Sequence, residues 1–188
     1  ALNANLPPDV ALNALAEAPA DFHPRYDARS RVYEYTFYVA PVRQPLLDRW
    51  AWQVKAGRPL NNERMQRAAD LLVGAHDFAA FGQPPQGEST VRRVLRSELE
   101  VLPPAPPVVQ LMRYRIEANA FLYRMVRRVV GALVRVGSGA LALDEFERAL
   151  HAAETEWPNQ AAPARGLCLI AVTYEEGRGD ARWSKVER

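Results

Sequence analysis

The stretch Asn119-Ala120-Phe121-Leu122-Tyr123-Arg124-Met125-Val126-Arg127-Arg128-Val129-Val130-Gly131 reads as the opening of a helix that runs to about Val136. Asn119 is the expected cap, and Gly137 and Gly139 the expected stop. At about 100° per residue, Phe121, Leu122, Met125, Val126, Val129, Val130 and Leu133 cover roughly half the circumference, as in a buried helix. Arg124, Arg128 and Arg135 fall within about 40° of one another and form a basic ridge. Arg127 stands about 60–100° away from that ridge, between Tyr123 and Gly131 at its two i±4 positions. A guanidinium keeps its charge when partly buried, so Arg127 needs an anionic partner. Two kinds fit: a structural carboxylate, or a catalytic or substrate anion.

Upstream, Arg29 to Val39 alternates as a strand. Arg29, Arg31, Tyr33, Tyr35 and Phe37 share one face, and Val32, Glu34, Thr36 and Tyr38 the other. The first face is either an aromatic core ladder with arginines at its wet end, or a surface for stacking bases and holding phosphate. Before it, Asp9 to Ala18 suits a helix or a strand equally. After it, Pro41 to Pro59 reads as an irregular connection carrying Trp50 and Trp52. A helix capped by Asn61 or Asn62 runs through Val73, with Met65, Ala68, Ala69 and Leu72 on one face. His76 and Asp77 follow, more naturally as local hydrogen bonders than as catalysts. Gly82 to Thr90 is a loop. Val91 to Leu102 alternates with Val91, Leu95, Leu99 and Val101 inward and Arg92 and Arg96 outward. Val108, Met112, Tyr114 and Ile116 mark its antiparallel partner. A second helix is expected from Asp144, as cap, to about Ala153. Leu167 to Tyr174 is almost wholly apolar, which predicts a central strand buried on both faces. The order β–α–β–β–α–α–β gives an α+β fold with a mixed or antiparallel sheet and packed helices.

The 188 residues allow one good core or two small ones. No apolar run approaches the ~20 residues of a membrane span, and no signal peptide opens the chain. A single Cys168 excludes an internal disulfide and suits a reducing, cytoplasmic setting. Three scattered histidines and one cysteine give no metal-ligand spacing. The net charge is only +2, so affinity for nucleic acid must come from clustering. Basic residues do cluster, as Arg25, Arg29 and Arg31, as Arg92, Arg93 and Arg96, and as Arg113, Arg115, Arg124, Arg127 and Arg128. Lysine supplies only Lys55 and Lys185. Arginine favours planar, two-pronged phosphate contacts, although a GC-rich coding bias would enrich it equally.

Six motifs in order resemble one family. They are Leu2-Asn3-Ala4-x-Leu6-Pro7, Arg31-x-Tyr33-x-Tyr35, His76-Asp77-Phe78-x-x-Phe81, Thr90-x-Arg92-x-Val94, Asn119-x-Phe121-Leu122-Tyr123-x-Met125-Val126-Arg127-x-x-x-Gly131, and Gly166-Leu167-x-Leu169-x-x-Val172-x-Tyr174. Together they resemble the tRNA pseudouridine synthase A family, over Ala1 to about Tyr174. The resemblance makes 1–174 the C-terminal domain of such an enzyme and 175–188 a polar tail. It implies isomerisation of uridine to pseudouridine in the anticodon stem-loop of tRNA, at family target positions 38–40. The glycosidic bond moves from uracil N1 to C5, without cofactor or metal. It also implies a homodimer sharing one tRNA.

The family's nucleophile is an aspartate in the motif Arg-Thr-Asp-x-Gly-Val-His-Ala. That motif is absent from this sequence and is expected upstream of the Leu-Asn-Ala segment, so the chain alone is expected to be inactive. Gly177-Arg178-Gly179-Asp180-Ala181-Arg182 only imitates it, and Asp27 and Asp77 have no motif behind them. By the resemblance, Arg127 pairs with the missing aspartate. Tyr33 stacks on the uracil and is placed to take the C5 proton from a flipped-out base. Phe121 and Leu122 wall the pocket, and Arg92, Arg124 and Arg128 hold RNA phosphate. Two rival readings are a non-catalytic RNA-binding module, which would need neither Tyr33 nor Arg127, and a structural or protein-interaction domain with solvated arginines.

Overall fold

The computed structural model describes residues 2–84, 89–104, 106–152 and 160–175. They fall into two compact units, Ser30–Val172 and a smaller one made of Ala1–Arg29 with the segment from Thr173 onward.

The larger unit is a six-stranded sheet with helices packed on it. Its strands are β1 (Ser30–Val39), β2 (Trp52–Val54), β3 (Gly74–Asp77), β4 (Val91–Leu102), β5 (Gln110–Ala118) and β6 (Leu167–Thr173). The order across the sheet is β2-β1-β5-β4-β3, with β6 also paired to β1. The β1–β2 pair is parallel; β1–β5, β4–β5 and β3–β4 are antiparallel. The α+β class and the mixed sheet expected from the sequence are therefore present. The helices are α1 (Asn62–Asp70), α2 (Met125–Ser138) and α3 (Leu143–Ala152). Asn61 caps α1 as expected, its side chain accepting from Arg64 N at 2.9 Å.

The core lies between α1, α2, α3 and one face of the sheet. Tyr35, Phe37, Met112, Tyr114 and Ile116 contribute from the strands, and Met65, Leu72, Val129, Val130 and Phe146 from and around the helices. The other face is polar at its centre: Glu34 pairs with Arg113 and Arg115, and Arg113 also with Glu100. Two of the clustered arginines are thereby committed within the sheet.

Several expectations need correction. α2 does not start at Asn119. It starts at Met125, and Arg124 before it has φ 61° and ψ 8°, a left-handed conformation that no helix interior contains. Asn119 instead pins the end of β5 to β4: its N–H donates to Arg93 O at 3.1 Å, and its Oδ1 accepts from Arg93 N at 2.9 Å. Arg124 therefore leaves the helical ridge, and only Arg128 and Arg135 still share a side. Gly137 does not stop α2 but lets it approach α1, since a Cβ there would lie 2.4 Å from Met65 Sδ. Gly139, with φ 79°, is the stop.

β4 carries a bulge between Val94 and Arg96. One extra residue reverses the parity, so Arg92, Val94 and Ser97 point inward while Val91 and Leu95 are exposed. β6 is not central. Thr173 O accepts from Arg29 N at 2.7 Å, and Gly166 lies against Thr36 O, so β6 runs antiparallel along β1. Cys168 and Leu169 on it are exposed. The connection after β1 contains β2, and His76 and Asp77 lie in β3. α3 begins one residue before Asp144, which sits in its first turn.

In the smaller unit, 10–19 is neither helix nor strand. Asn3 clasps Leu12 with both side-chain atoms, and Phe22 packs edge-on against Tyr174, whose hydroxyl donates to Pro24 O at 3.0 Å. Arg29 pairs with Glu175. Asp180, Ala153 and the tail beyond Glu175 lie outside the described residues, as do 85–88 of the loop after Gly82.

Candidate active site

The site is built on the inward face of β1. Alternation places Tyr33 and Tyr35 on that face. Tyr35 is fully buried in the core, while Tyr33, one step nearer the strand's start, is half-buried at its rim. The Tyr33 ring meets Phe121 edge-to-face, with centroids 5.0 Å apart at 88°. Among the described residues, the Tyr33 hydroxyl has no hydrogen-bond partner. Of the two readings of this face, Tyr35 and Phe37 realise the core ladder. Tyr33 and Phe121 form the aromatic surface at its edge.

Phe121 is held there because the connection 119–124 is fixed along its length. Asn119 ties it to β4, and Arg31 Nη1 donates to Asn119 O at 3.0 Å. Leu122 is buried, and Gly82 is pressed against it so closely that a Cβ would lie 2.4 Å from Leu122 Cβ. Tyr123 N donates to Gln83 O at 3.1 Å. Tyr123 itself is 63% exposed, and the Arg124 guanidinium lies over its ring, 4.9 Å from the centroid.

Arg127, in the first turn of α2, is half-buried. Its Nε donates to Ala162 O at 2.6 Å, and Ala162 N donates back to Arg127 O at 2.9 Å. Among the described residues no carboxylate lies within ion-pair range of Arg127, and its two terminal nitrogens have no acceptor. The neighbouring carbonyl, Pro163 O, accepts from Tyr35 Oη at 2.6 Å. Burial pushes the Tyr35 phenol well above the usual tyrosine range, against the opposing pull of the Arg127 and Arg165 charges. The segment 162–163 thus takes one hydrogen bond from Arg127 and one from Tyr35. The sequence pattern does not reveal this segment, because the contacts join residues far apart in the chain.

The remaining expected phosphate ligands are not gathered with these. Arg92 is 9% exposed, and its Nη1 donates to Ser89 O at 2.6 Å and Val91 O at 2.7 Å. Arg128 is half-buried on α2, and Arg124 is exposed beside Tyr123. His76 and Asp77 bond locally, His76 Nε2 with Val73 O and Asp77 Oδ1 with Ala79 N. Among the described residues no cluster of His, Cys, Asp and Glu could hold a metal ion, and no helix is long and apolar enough to cross a membrane.

The described residues thus hold an aromatic pair, Tyr33 with Phe121, and on α2 a guanidinium fixed by a backbone carbonyl with no carboxylate partner among the described residues. Known proteins give this arrangement a family. A family model described as tRNA pseudouridine synthase matches residues 68–175. The chain is 41% identical over 186 residues to the tRNA pseudouridine synthase A of a Roseiflexus species, covering 96% of this chain and 65% of that protein. It is 37% identical over 174 residues to that of Syntrophotalea carbinolica, covering 92% and 66%. It is 34% identical over 180 residues to that of Citrifermentans bemidjiense, covering 93% and 68%. The chain belongs to the tRNA pseudouridine synthase family, and it spans about two thirds of the length of these curated relatives.

Proposed function

We propose that this chain supplies the base-stacking and carboxylate-holding part of a cytoplasmic tRNA pseudouridine synthase acting on uridines of the anticodon stem-loop. The observation that carries the reading is Arg127. Its Nε is committed to Ala162 O, and its terminal nitrogens face no carboxylate among the described residues. A carboxylate accepting end-on from both terminal nitrogens would be oriented and kept ionised. The family's aspartate is the candidate, and the motif that carries it is not in this sequence. Tyr33 and Phe121 stack against the flipped uracil. Breaking the bond from C1′ to N1 and forming that from C1′ to C5 leaves one proton to be lost from C5 and one to be gained by N1, so the reaction is balanced with no net change in protons. Tyr33, whose hydroxyl has no hydrogen-bond partner among the described residues, is the group assigned to receive the proton from C5. Leu122 acts by holding Phe121 in place, and Arg124 and Arg128 approach phosphate. The active assembly is a homodimer sharing one tRNA.

Tritium release from tRNA labelled at uridine C5 tests this reading. Residues 1–188 alone should release none, and adding the aspartate-bearing segment should restore release. Sustained release by 1–188 alone would sink the reading and turn attention to Asp180.

A further inference from the structure

A cavity of about 1090 Å³ lies beside the C-terminal end of α2, lined in part by Trp52, Val134 and Ser138. Its charges are Arg43, Lys55, Arg58 and Arg165, with Asp48 the one carboxylate among its lining residues. Asp48 is only 11% exposed, and Tyr38 Oη fixes it by donating to Oδ1 at 2.8 Å. Arg43 and Arg165 lie 3.5 and 3.8 Å from its oxygens. One anchored carboxylate between two guanidiniums sets their positions and leaves positive charge in excess. Lys55 and Arg58 are exposed, and among the described residues neither side chain has a hydrogen bond or an ion pair. Arg58 also lines an adjoining cavity of about 350 Å³, with Arg64, whose side chain is likewise uncommitted. Five cations therefore face one carboxylate, in a chain whose whole net charge is +2.

This cavity adjoins the candidate active site through Tyr35. Trp52 meets the Tyr35 ring edge-on at 6.4 Å, and the charges of Arg127 and Arg165 both act on the Tyr35 phenol. α2 rises about 1.5 Å per residue, so Ser138 at the cavity stands about 16 Å along the helix from Arg127. For a stacked RNA strand running along α2, at about 3 Å of axis per nucleotide, that is on the order of five nucleotides.

We propose that this cavity is a second RNA-binding site, which takes backbone phosphates of the strand leading away from the nucleotide held at Tyr33 and Arg127. The inference rests on the proposed tRNA reading. Phosphate contacts carry no sequence information, so the site fixes the register of the RNA and does not select its bases. Only a substrate reaching about five nucleotides beyond the target can occupy both sites.

The test is the salt dependence of binding by the chain carrying Lys55→Ala and Arg58→Ala together. Two RNAs are compared: unmodified tRNA, and a short hairpin with fewer than about five nucleotides on either side of its target uridine. On tRNA the slope of log K against log salt should fall by about two units, while on the hairpin it should stay at the wild-type value. Lys55→Arg with Arg58→Lys should restore the slope. An unchanged slope on tRNA, with wild-type binding intact, overturns the second site and leaves the proposed function standing. An equal loss on both RNAs also overturns it, because the cations would then belong to the target site. Failure of the wild-type chain to bind either RNA overturns the tRNA reading and this inference together. Both side chains are exposed, so a thermal melt matching wild type is expected of the variants.

Discussion

Arg127 and Ala162 hold each other twice, the guanidinium Nε donating to the Ala162 carbonyl and the Ala162 N–H donating back to the Arg127 carbonyl. The loop strand is thereby locked to the first turn of α2, and the direction of the guanidinium follows from the lock. Ala162 is 2% exposed, so its carbonyl has little access to water if the donor is removed. Arg127→Ala should therefore destabilise the chain by about 1–3 kcal/mol, read as a lower urea midpoint. Arg127→Lys keeps the charge but has no nitrogen at the Nε position and no planar fork. In the enzyme that also carries the aspartate, it should lower the single-turnover rate by a large factor and leave tRNA affinity near wild type. A loss of affinity without loss of rate would place Arg127 on phosphate instead.

Arg124 gives the second prediction. A non-glycine residue in the left-handed region costs about 1–2 kcal/mol, and here the fixed connection from Asn119 to Tyr123 imposes it. Glycine adopts this conformation freely; alanine does not, and it also loses the stack on Tyr123, a contact of about 0.5–1 kcal/mol. Arg124→Gly should match or exceed wild-type stability in thermal melts, and Arg124→Ala should fall below it. The opposite order would mean an ordinary helical start. Either variant should weaken tRNA binding and lower the salt slope by about one unit if Arg124 meets phosphate.

These two arginines mark how far the sequence could be read. The three-four spacing of Phe121, Leu122, Met125 and Val126 imitates a helix from its first residue. Periodicity records which side chains are buried but not the backbone angle that buries them, so the left-handed turn at Arg124 was invisible. The place of Arg127 beside an apolar face pointed to an anionic partner. The partner it has among the described residues is a backbone carbonyl 35 residues downstream, which no local pattern marks. β1, β5 and the Asn61 cap were legible because alternation and capping are local. The inward face of β4 was misread because the bulge after Val94 leaves no mark in composition. β6 looked central because an apolar run signals burial on both faces, whereas Cys168 and Leu169 on it are exposed.

Two glycines set the third prediction. Gly82 and Gly166 are required by space: a Cβ at Gly82 would lie 2.4 Å from Leu122 Cβ, and one at Gly166 would lie 2.6 Å from Thr36 O and the Tyr35 ring. The neighbours are a buried side chain, backbone and a fully buried ring, none of which gives way cheaply. Gly82→Ala and Gly166→Ala should each destabilise the chain by about 1–3 kcal/mol. Gly82→Ala should also displace Phe121, which a change in Tyr33 fluorescence or ring chemical shifts would report. Wild-type stability and unchanged Tyr33 signals in Gly82→Ala would mean that Leu122 does not position the aromatic pair.

The last prediction concerns alkaline pH. Burial raises the phenols of Tyr35 and Tyr114 well above the ordinary tyrosine value, although the Arg127 and Arg165 charges act against it at Tyr35 and the Ser97 hydrogen bond does so at Tyr114. Unfolded, each would ionise near the usual value of about 10. Below that pH both states keep the proton, and the protonated phenols contribute their full stability. Above it the unfolded chain releases protons that the folded chain retains, so stability falls as pH rises from about 10 toward the raised folded values. Urea midpoints should therefore be level across neutral pH and decline steeply above about pH 10. Tyr35→Phe should reduce that decline. It should also lower stability at neutral pH, since Pro163 O loses its 2.6 Å donor, at a cost of about 1–2 kcal/mol. Tyr114→Phe should reduce the decline without touching the segment that holds Arg127. If Tyr35→Phe alone lowers the single-turnover rate of the aspartate-bearing enzyme, the 162–163 segment is the support through which Tyr35 steadies Arg127. Equal rates in the two variants would leave Tyr35 a core residue only.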